Sequence, residues 1–116
     1  HGIYIKDCKD AYDIVKDRNI ALEMCPTSNV QTKAVDSFEE HPVLDFYKDG
    51  INITINTDNR TVSNTTLTNE YDILKDKFEI DIEIYKNIYF FSVNAAFTDS
   101  ETKRKLREDL EKYFMK

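Results

Sequence analysis

Residues 51–58 read Ile51-Asn52-Ile53-Thr54-Ile55-Asn56-Thr57-Asp58. Isoleucine alternates with asparagine or threonine from Ile51 to Asn56, the period of two that marks a β-strand with one apolar face. The polar positions must then meet water or the polar interior of a barrel. Just upstream, the stretch from His41 to Gly50 (HPVLDFYKDG) reads as a helix, with Pro42 suited to the first helical position and Gly50 to the position past its end. Ile20–Cys25 is a short apolar run stopped by Pro26, which fits a buried strand with one polar exception, Glu23. Pro26–Asn29 carries turn chemistry.

Working outward, residues 7–18 read as an amphipathic helix with Cys8, Ala11, Tyr12 and Val15 on one face. After the strand, a helix is predicted from Thr68 through Phe78. Another covers residues 81–97, on a stripe of Ile80, Ile84, Ile88, Phe91 and Ala95. A last one covers residues 100–115, with Ser100 as its N-cap and Leu106, Leu110 and Phe114 as its inner face.

Strands alternating with helices imply parallel pairing. Two parallel strands alone leave both edges open. A whole (β/α)8 barrel takes about 200–250 residues, and the chain has 116. The expectation is therefore an α/β fold that forms the last third to half of a TIM (β/α)8 barrel.

Composition narrows the function classes. Hydrophobic residues make up 41% and charged residues 33%, which argues against disorder over most of the chain. The net charge of -6, with acids interleaved among the lysines as in KDCKDAYDIVKDR, leaves no basic patch for a nucleic acid. An apolar run long enough for a membrane span is missing, as is a basic-then-apolar leader in HGIYIKDCKD. Cys8 and Cys25 are too few for a disulfide framework, so the expected compartment is the cytoplasm. The N-x-T triplets at Asn52, Asn59 and Asn64 are then chance or structural.

The residues that carry chemistry are few. Asp58 ends the alternating strand, and side chains at the C-terminal ends of barrel strands point into an active site. A carboxylate there is a hard ligand for zinc or another divalent ion, although an aspartate at a strand end is also a common turn residue or helix cap. His1, followed by Gly2, has the chemistry to bind metal or move a proton. His41 before Pro42 reads as a helix N-terminal residue. Glu23, set in an apolar strand, reads as a buried carboxylate that needs a structural partner. Cys8 and Cys25 lack a C-x-x-C arrangement and read as apolar fillers. Glycine-rich phosphate loops and G-x-S-x-G elbows are absent from the sequence.

Taken together, His1-Gly2, Leu22-Glu23-Met24-Cys25-Pro26-Thr27-Ser28-Asn29, His41-Pro42, Asn56-Thr57-Asp58-Asn59, Thr68-Asn69-Glu70-Tyr71 and Asn94-Ala95-Ala96-Phe97 closely resemble the adenosine deaminase family, in its bacterial branch. The resemblance covers essentially the whole chain. It implies a TIM barrel of the metal-dependent hydrolase type, with residues 1–116 running from the end of strand 6 through strand 8 and the C-terminal helices. It implies hydrolytic deamination of adenosine or deoxyadenosine to inosine or deoxyinosine plus ammonia, with one zinc ion. Asp58 matches the family's aspartate ligand, which also aims the attacking hydroxide. His1 matches the histidine that stabilises that oxygen.

Many family members carry a second aspartate where this chain has Asn59, and proline where it has Arg60. The aspartate must be protonated to donate to purine N7, whereas Asn59 brings an NH2 donor with no pKa shift. Asn59 is thus the substrate-binding candidate. The three zinc-binding histidines and the proton-donating glutamate of the family lie outside this stretch. The chain alone is accordingly expected to be inactive and to hold zinc weakly, with the N-terminal half of the barrel, or a second copy, as its partner. Two other readings remain open: a non-catalytic half-barrel interaction module, and a deaminase of another 6-aminopurine compound.

Overall fold

The computed structural model describes residues 1–115. A 3-10 turn at Ile5–Asp7 leads into α1 (Lys9–Asp17), β1 (Leu22–Met24) and α2 (Pro26–Gln31). Next come α3 (Val43–Lys48), β2 (Ile53–Ile55) and α4 (Arg60–Ser63), and then the long helices α5 (Leu67–Phe78), α6 (Ile82–Ala95) and α7 (Ser100–Phe114). The two strands pair in parallel, Leu22 with Ile53, Glu23 with Thr54 and Met24 with Ile55. The alternation of Ile51–Asn56 and the parallel pairing are thus both realised. The regular strands are shorter than their sequence runs because each finds only one neighbour among the described residues. Beyond the pairing, Ile20 is exposed.

One face of this sheet is closed. Leu22, Met24, Ile53 and Ile55 pack with Val43, Phe46, Ile51, Leu74 and Ile88 into a single core, in which Met24 and Ile53 are fully buried. Burial of each such side chain stabilises by about 1.5–3 kcal/mol. Helix α6 lies against β2, flanked by α3 and α5. The other face is polar. Thr54 Oγ1 donates to the Leu22 carbonyl at 3.2 Å and accepts from Asn56 Nδ2 at 2.9 Å. Glu23, the cross-strand neighbour of Thr54, is exposed on this face. Its expected burial is therefore corrected: strand alternation turns it away from the core.

Helix α3 ends as its sequence predicts. Ile51 N–H donates to the Phe46 carbonyl and Gly50 N–H to the Tyr47 carbonyl, with Gly50 at φ +85°, a Schellman closure that only glycine adopts without strain. Pro42, however, is the N-cap of α3, one place before its first helical residue. Pro26–Asn29 opens α2, with Pro26 in its first turn, where a turn was expected; a proline's missing N–H is harmless there. Helix α4 was not anticipated and is capped by Asn59. Aspartates cap the last two helices: Asp81 accepts from Ile84 N at 2.9 Å, and Asp99, not Ser100, accepts from Thr102 N at 2.7 Å. On α7, Leu110 is buried and Phe114 stacks edge-on against Tyr85 of α6, but Leu106 is exposed, which narrows the expected inner face. Among the described residues, no helix is long and apolar enough to cross a membrane.

Candidate active site

Parallel strands send their C-terminal ends to the same edge of the sheet. Here that edge gathers residues from four separate stretches: His1, Ser28 and Asn29 at the start of α2, His41 before α3, and Asp58 after β2. Asp58 sits at φ +56°, a left-handed conformation that aspartate tolerates better than most residues. This bend turns its carboxylate toward the mouth of the sheet. Gly2 sits at φ +79°, and a Cβ on it would lie 2.9 Å from Leu22 Cδ2. The residue after His1 is therefore held to glycine chiefly by its backbone, since the end of the Leu22 side chain can shift.

The contacts form one network. His1 Nε2 lies 3.7 Å from Asp58 Oδ2, both side chains being about half exposed. Ser28 Oγ donates to the same Asp58 oxygen at 2.9 Å. Asn29 Nδ2 lies 3.0 Å from His1 Nδ1. Asn29 Oδ1 is 2.9 Å from His41 Nε2 and accepts from Cys25 N–H at 3.3 Å. Val43 N–H donates to His41 Nδ1 at 3.2 Å. Burial pushes the pKa of His41 down to about 4, because an imidazolium there would lose its hydration. Burial and the nearby Asp58 charge push the Cys25 thiol up to about 11, so it stands as a neutral thiol beside the site.

The carboxylate of Asp58 has the chemistry of one hard oxygen ligand for a metal ion. Of its carboxylate oxygens, Oδ2 is engaged by Ser28 and His1, and the half-exposed group opens onto the strand mouth. Among the described residues, no cluster of three or more histidine, cysteine, aspartate or glutamate side chains could by itself hold an ion. Any further ligands must come from outside this set.

Asn59 stands next to Asp58 and is exposed. Its Oδ1 accepts from Thr61 N at 3.1 Å and Val62 N at 3.0 Å. This N-cap fixes which way the amide points and leaves the NH2 as its remaining donor.

Sequence reasoning singled out His1, Asp58 and Asn59 but not the groups that hold them. Ser28 and Asn29 were read as turn residues and His41 as a plain helix terminus. The available signal was positional: Ser28 and Asn29 follow β1 as Asp58 and Asn59 follow β2, and parallel strands bring such ends together. Glu70 was also missed as a support. It is fully buried on α5, and its Oε2 accepts from Thr27 N at 3.2 Å, anchoring the start of α2.

Comparison with known proteins places this arrangement. The family model described as adenosine deaminase matches residues 1–113. A Clostridium botulinum protein named adenosine deaminase is 58% identical over 111 residues, covering 96% of this chain and 34% of its own length. The chain thus spans about a third of the curated relatives it matches, in their C-terminal part. Among solved structures, an adenine deaminase from Arthrobacter aurescens superposes with a TM-score of 0.95 at 22% identity, over 100% of this chain and 36% of that one. An apo N6-methyl-AMP deaminase from Arabidopsis thaliana superposes at 0.82 with 26% identity, over 89% of this chain and 31% of that one. The two strands and their helices are therefore part of a TIM-barrel fold.

Proposed function

The chain belongs to the adenosine deaminase family, and on that premise we propose that residues 1–116 supply the end of strand 6 through strand 8, and the C-terminal helices, of a zinc-dependent adenosine deaminase. One observation carries the reading: His1 and Asp58, 57 positions apart in sequence, meet at the C-terminal edge of the parallel strands with Nε2 and Oδ2 3.7 Å apart.

In this reading Asp58 is one ligand of a zinc ion whose other ligands lie outside the chain. Zinc, when bound, lowers the pKa of a water toward neutrality, so that hydroxide is available near pH 7 to attack C6 of the purine. Asp58 accepts a hydrogen bond from the attacking water and aims it. Ser28 Oγ–H, donating to Asp58 Oδ2, keeps the carboxylate in a single orientation while it does so. His1 Nε2 faces the same Asp58 oxygen at 3.7 Å and stabilises negative charge as it develops on the attacking oxygen. Asn59, its Oδ1 locked in the helix cap, offers Nδ2–H to purine N7. An amide donates at any ordinary pH, whereas a carboxyl must first be protonated.

The test is complementation. Residues 1–116 joined to the N-terminal two thirds of the Clostridium botulinum relative are expected to turn adenosine and deoxyadenosine into inosine and deoxyinosine, read as the ultraviolet shift on loss of the 6-amino group. The joined protein should hold about one zinc per barrel, and the chain by itself should give neither turnover nor stoichiometric zinc. Turnover by the chain alone, or none by a folded, zinc-loaded barrel, overturns the reading.

A second substrate reading rests on the structural neighbours, which include deaminases named for adenine and for N6-methyl-AMP. Asn59 addresses a purine edge common to all these compounds. Running adenine and N6-methyl-AMP beside adenosine decides between them by the ratio of kcat/KM.

A further inference from the structure

We infer that His41 and Asn29 are positioning residues that fix the tautomer of His1, so that Nε2 of His1 carries its proton toward Asp58 and the attacking oxygen. The catalytic use of that proton rests on the deaminase reading; the tautomer itself does not.

The argument starts from a backbone amide, which donates and never accepts. Val43 N–H donates to His41 Nδ1, so that nitrogen bears no proton. His41 is 3% exposed and neutral, and a neutral imidazole with a bare Nδ1 carries its proton on Nε2. That N–H donates to Asn29 Oδ1 at 2.9 Å. A second backbone donor, Cys25 N–H, reaches the same oxygen. Two donors on one atom settle the orientation of the Asn29 amide, which geometry alone leaves two-fold ambiguous. Its NH2 must then face His1 Nδ1, 3.0 Å away. An NH2 group also only donates, so His1 Nδ1 accepts, and the proton of neutral His1 sits on Nε2. Polarity set by two backbone amides is thus passed through two buried side chains to a half-exposed one.

Without this chain His1 would populate both tautomers and a range of ring orientations, as an exposed imidazole does. With the opposite tautomer, a lone pair rather than a proton would face the Asp58 carboxylate. This would repel the anion and withdraw the donor from the developing charge. Groups that orient a metal-bound imidazole in this way are typically worth about 10–100-fold, and a loss of the same order is expected for His1.

The experiment reads the tautomer directly. In the completed barrel labelled with 15N-histidine, at about pH 8 where free imidazole is neutral, long-range 1H–15N correlation distinguishes the protonated from the bare ring nitrogen of His1. The wild type is expected to show His1 with bare Nδ1 and protonated Nε2. Asn29→Asp replaces the NH2 by an oxygen that only accepts, and should move a proton onto His1 Nδ1. His41→Asn keeps an acceptor for Val43 N–H but removes the donor to Asn29, and should leave His1 with both tautomers populated.

In the barrel completed as above, both variants should lower kcat by about 10–100-fold while KM stays within about 3-fold. A wild-type spectrum dominated by protonated Nδ1, or an Asn29→Asp spectrum unchanged from wild type, overturns the inference. Should either variant fail to fold, the wild-type spectrum alone still decides. A completed wild-type barrel that does not deaminate although its His1 tautomer follows Asn29 defeats the deaminase reading and leaves the relay standing. Turnover with a tautomer indifferent to Asn29 defeats the relay alone.

Discussion

The strand mouth and the C-terminal helices are built by opposite means. At the mouth, five polar side chains from four separate stretches meet through single hydrogen bonds and one 3.7 Å contact between His1 and Asp58, and the helices beside them are short: α2 and α3 have six residues each and α4 four. In α5–α7, by contrast, three long helices pack by apolar stripes and aromatic edges, with each N-terminus closed by one side chain, Thr66, Asp81 or Asp99. The helices tolerate small losses because their contacts are many and interchangeable. The mouth does not, because each of its contacts has one donor and one acceptor. Function is thus expected to be lost at the mouth with little cost in stability, and stability lost in the helices with little change at the mouth.

The sharpest way to break this contrast is at Asp58. Asp58→Asn in the completed barrel, which keeps a side chain suited to the left-handed backbone at φ +56°, should cost at least about 100–1,000-fold in kcat/KM, as loss of a preorganised charged group does. The urea midpoint should move little, since the side chain is half exposed and surface changes are usually worth within about 0.5 kcal/mol. A large drop in stability would show that the mouth is part of the core. The converse change is Ile88→Ala on α6, at a side chain 2% exposed. It should cost about 2–5 kcal/mol in urea unfolding and leave the His1 tautomer as in the wild type.

Glu70 joins the two regions, because it belongs to α5 yet holds the first turn of α2. Its removal by Glu70→Ala leaves the Thr27 N–H buried without an acceptor, a loss of about 1–3 kcal/mol. If α2 shifts as a result, Ser28 and Asn29 shift with it. The expected signature is a fall in kcat larger than the lost stability explains, measured where the variant is still folded.

How much could be read beforehand follows the same division. Ile51–Asn56 and the stripe from Ile80 to Ala95 were legible because periodicity is a local property and burial follows it. Their caps were nearly so: Asp99 rather than Ser100 closes α7, because either residue offers a side-chain oxygen and only the backbone path chooses. The mouth was legible by resemblance for His1 and Asp58 and hardly otherwise. Asn29 and His41 acquire their roles from contacts across 28 and 12 positions, and no local pattern encodes those. Glu23 failed for a simpler reason. An apolar run suggests a strand buried on both faces, but among the described residues the polar face of β1 is left open at Glu23, although its neighbour Thr54 on β2 is buried.

The last expected effect separates the regions by pH. His41 has a folded-state pKa of about 4 against an ordinary 6.5. Between those values the unfolded chain takes up a proton that the folded chain refuses, so stability is full above about pH 6.5 and declines as pH falls toward 4. The carboxylate of Asp99 behaves differently. The N-terminal backbone of α7 holds its pKa below the ordinary 3.8. What it contributes is therefore kept throughout the His41 window and lost only as pH falls below about 3.8, together with that of the hydrogen-bonded Asp49, while that of Glu39, whose ordinary pKa is 4.5, begins to go slightly earlier. A series of urea midpoints from about pH 7 to about pH 3 should accordingly fall in two stages. The upper stage should flatten in His41→Asn, and the lower should weaken in Asp99→Ala with the upper unchanged. If His41→Asn leaves the upper stage intact, the imidazole is not the buried neutral group from which the polarity of the mouth begins, and the separation between a mouth set by single hydrogen bonds and a body set by packing fails at its first link.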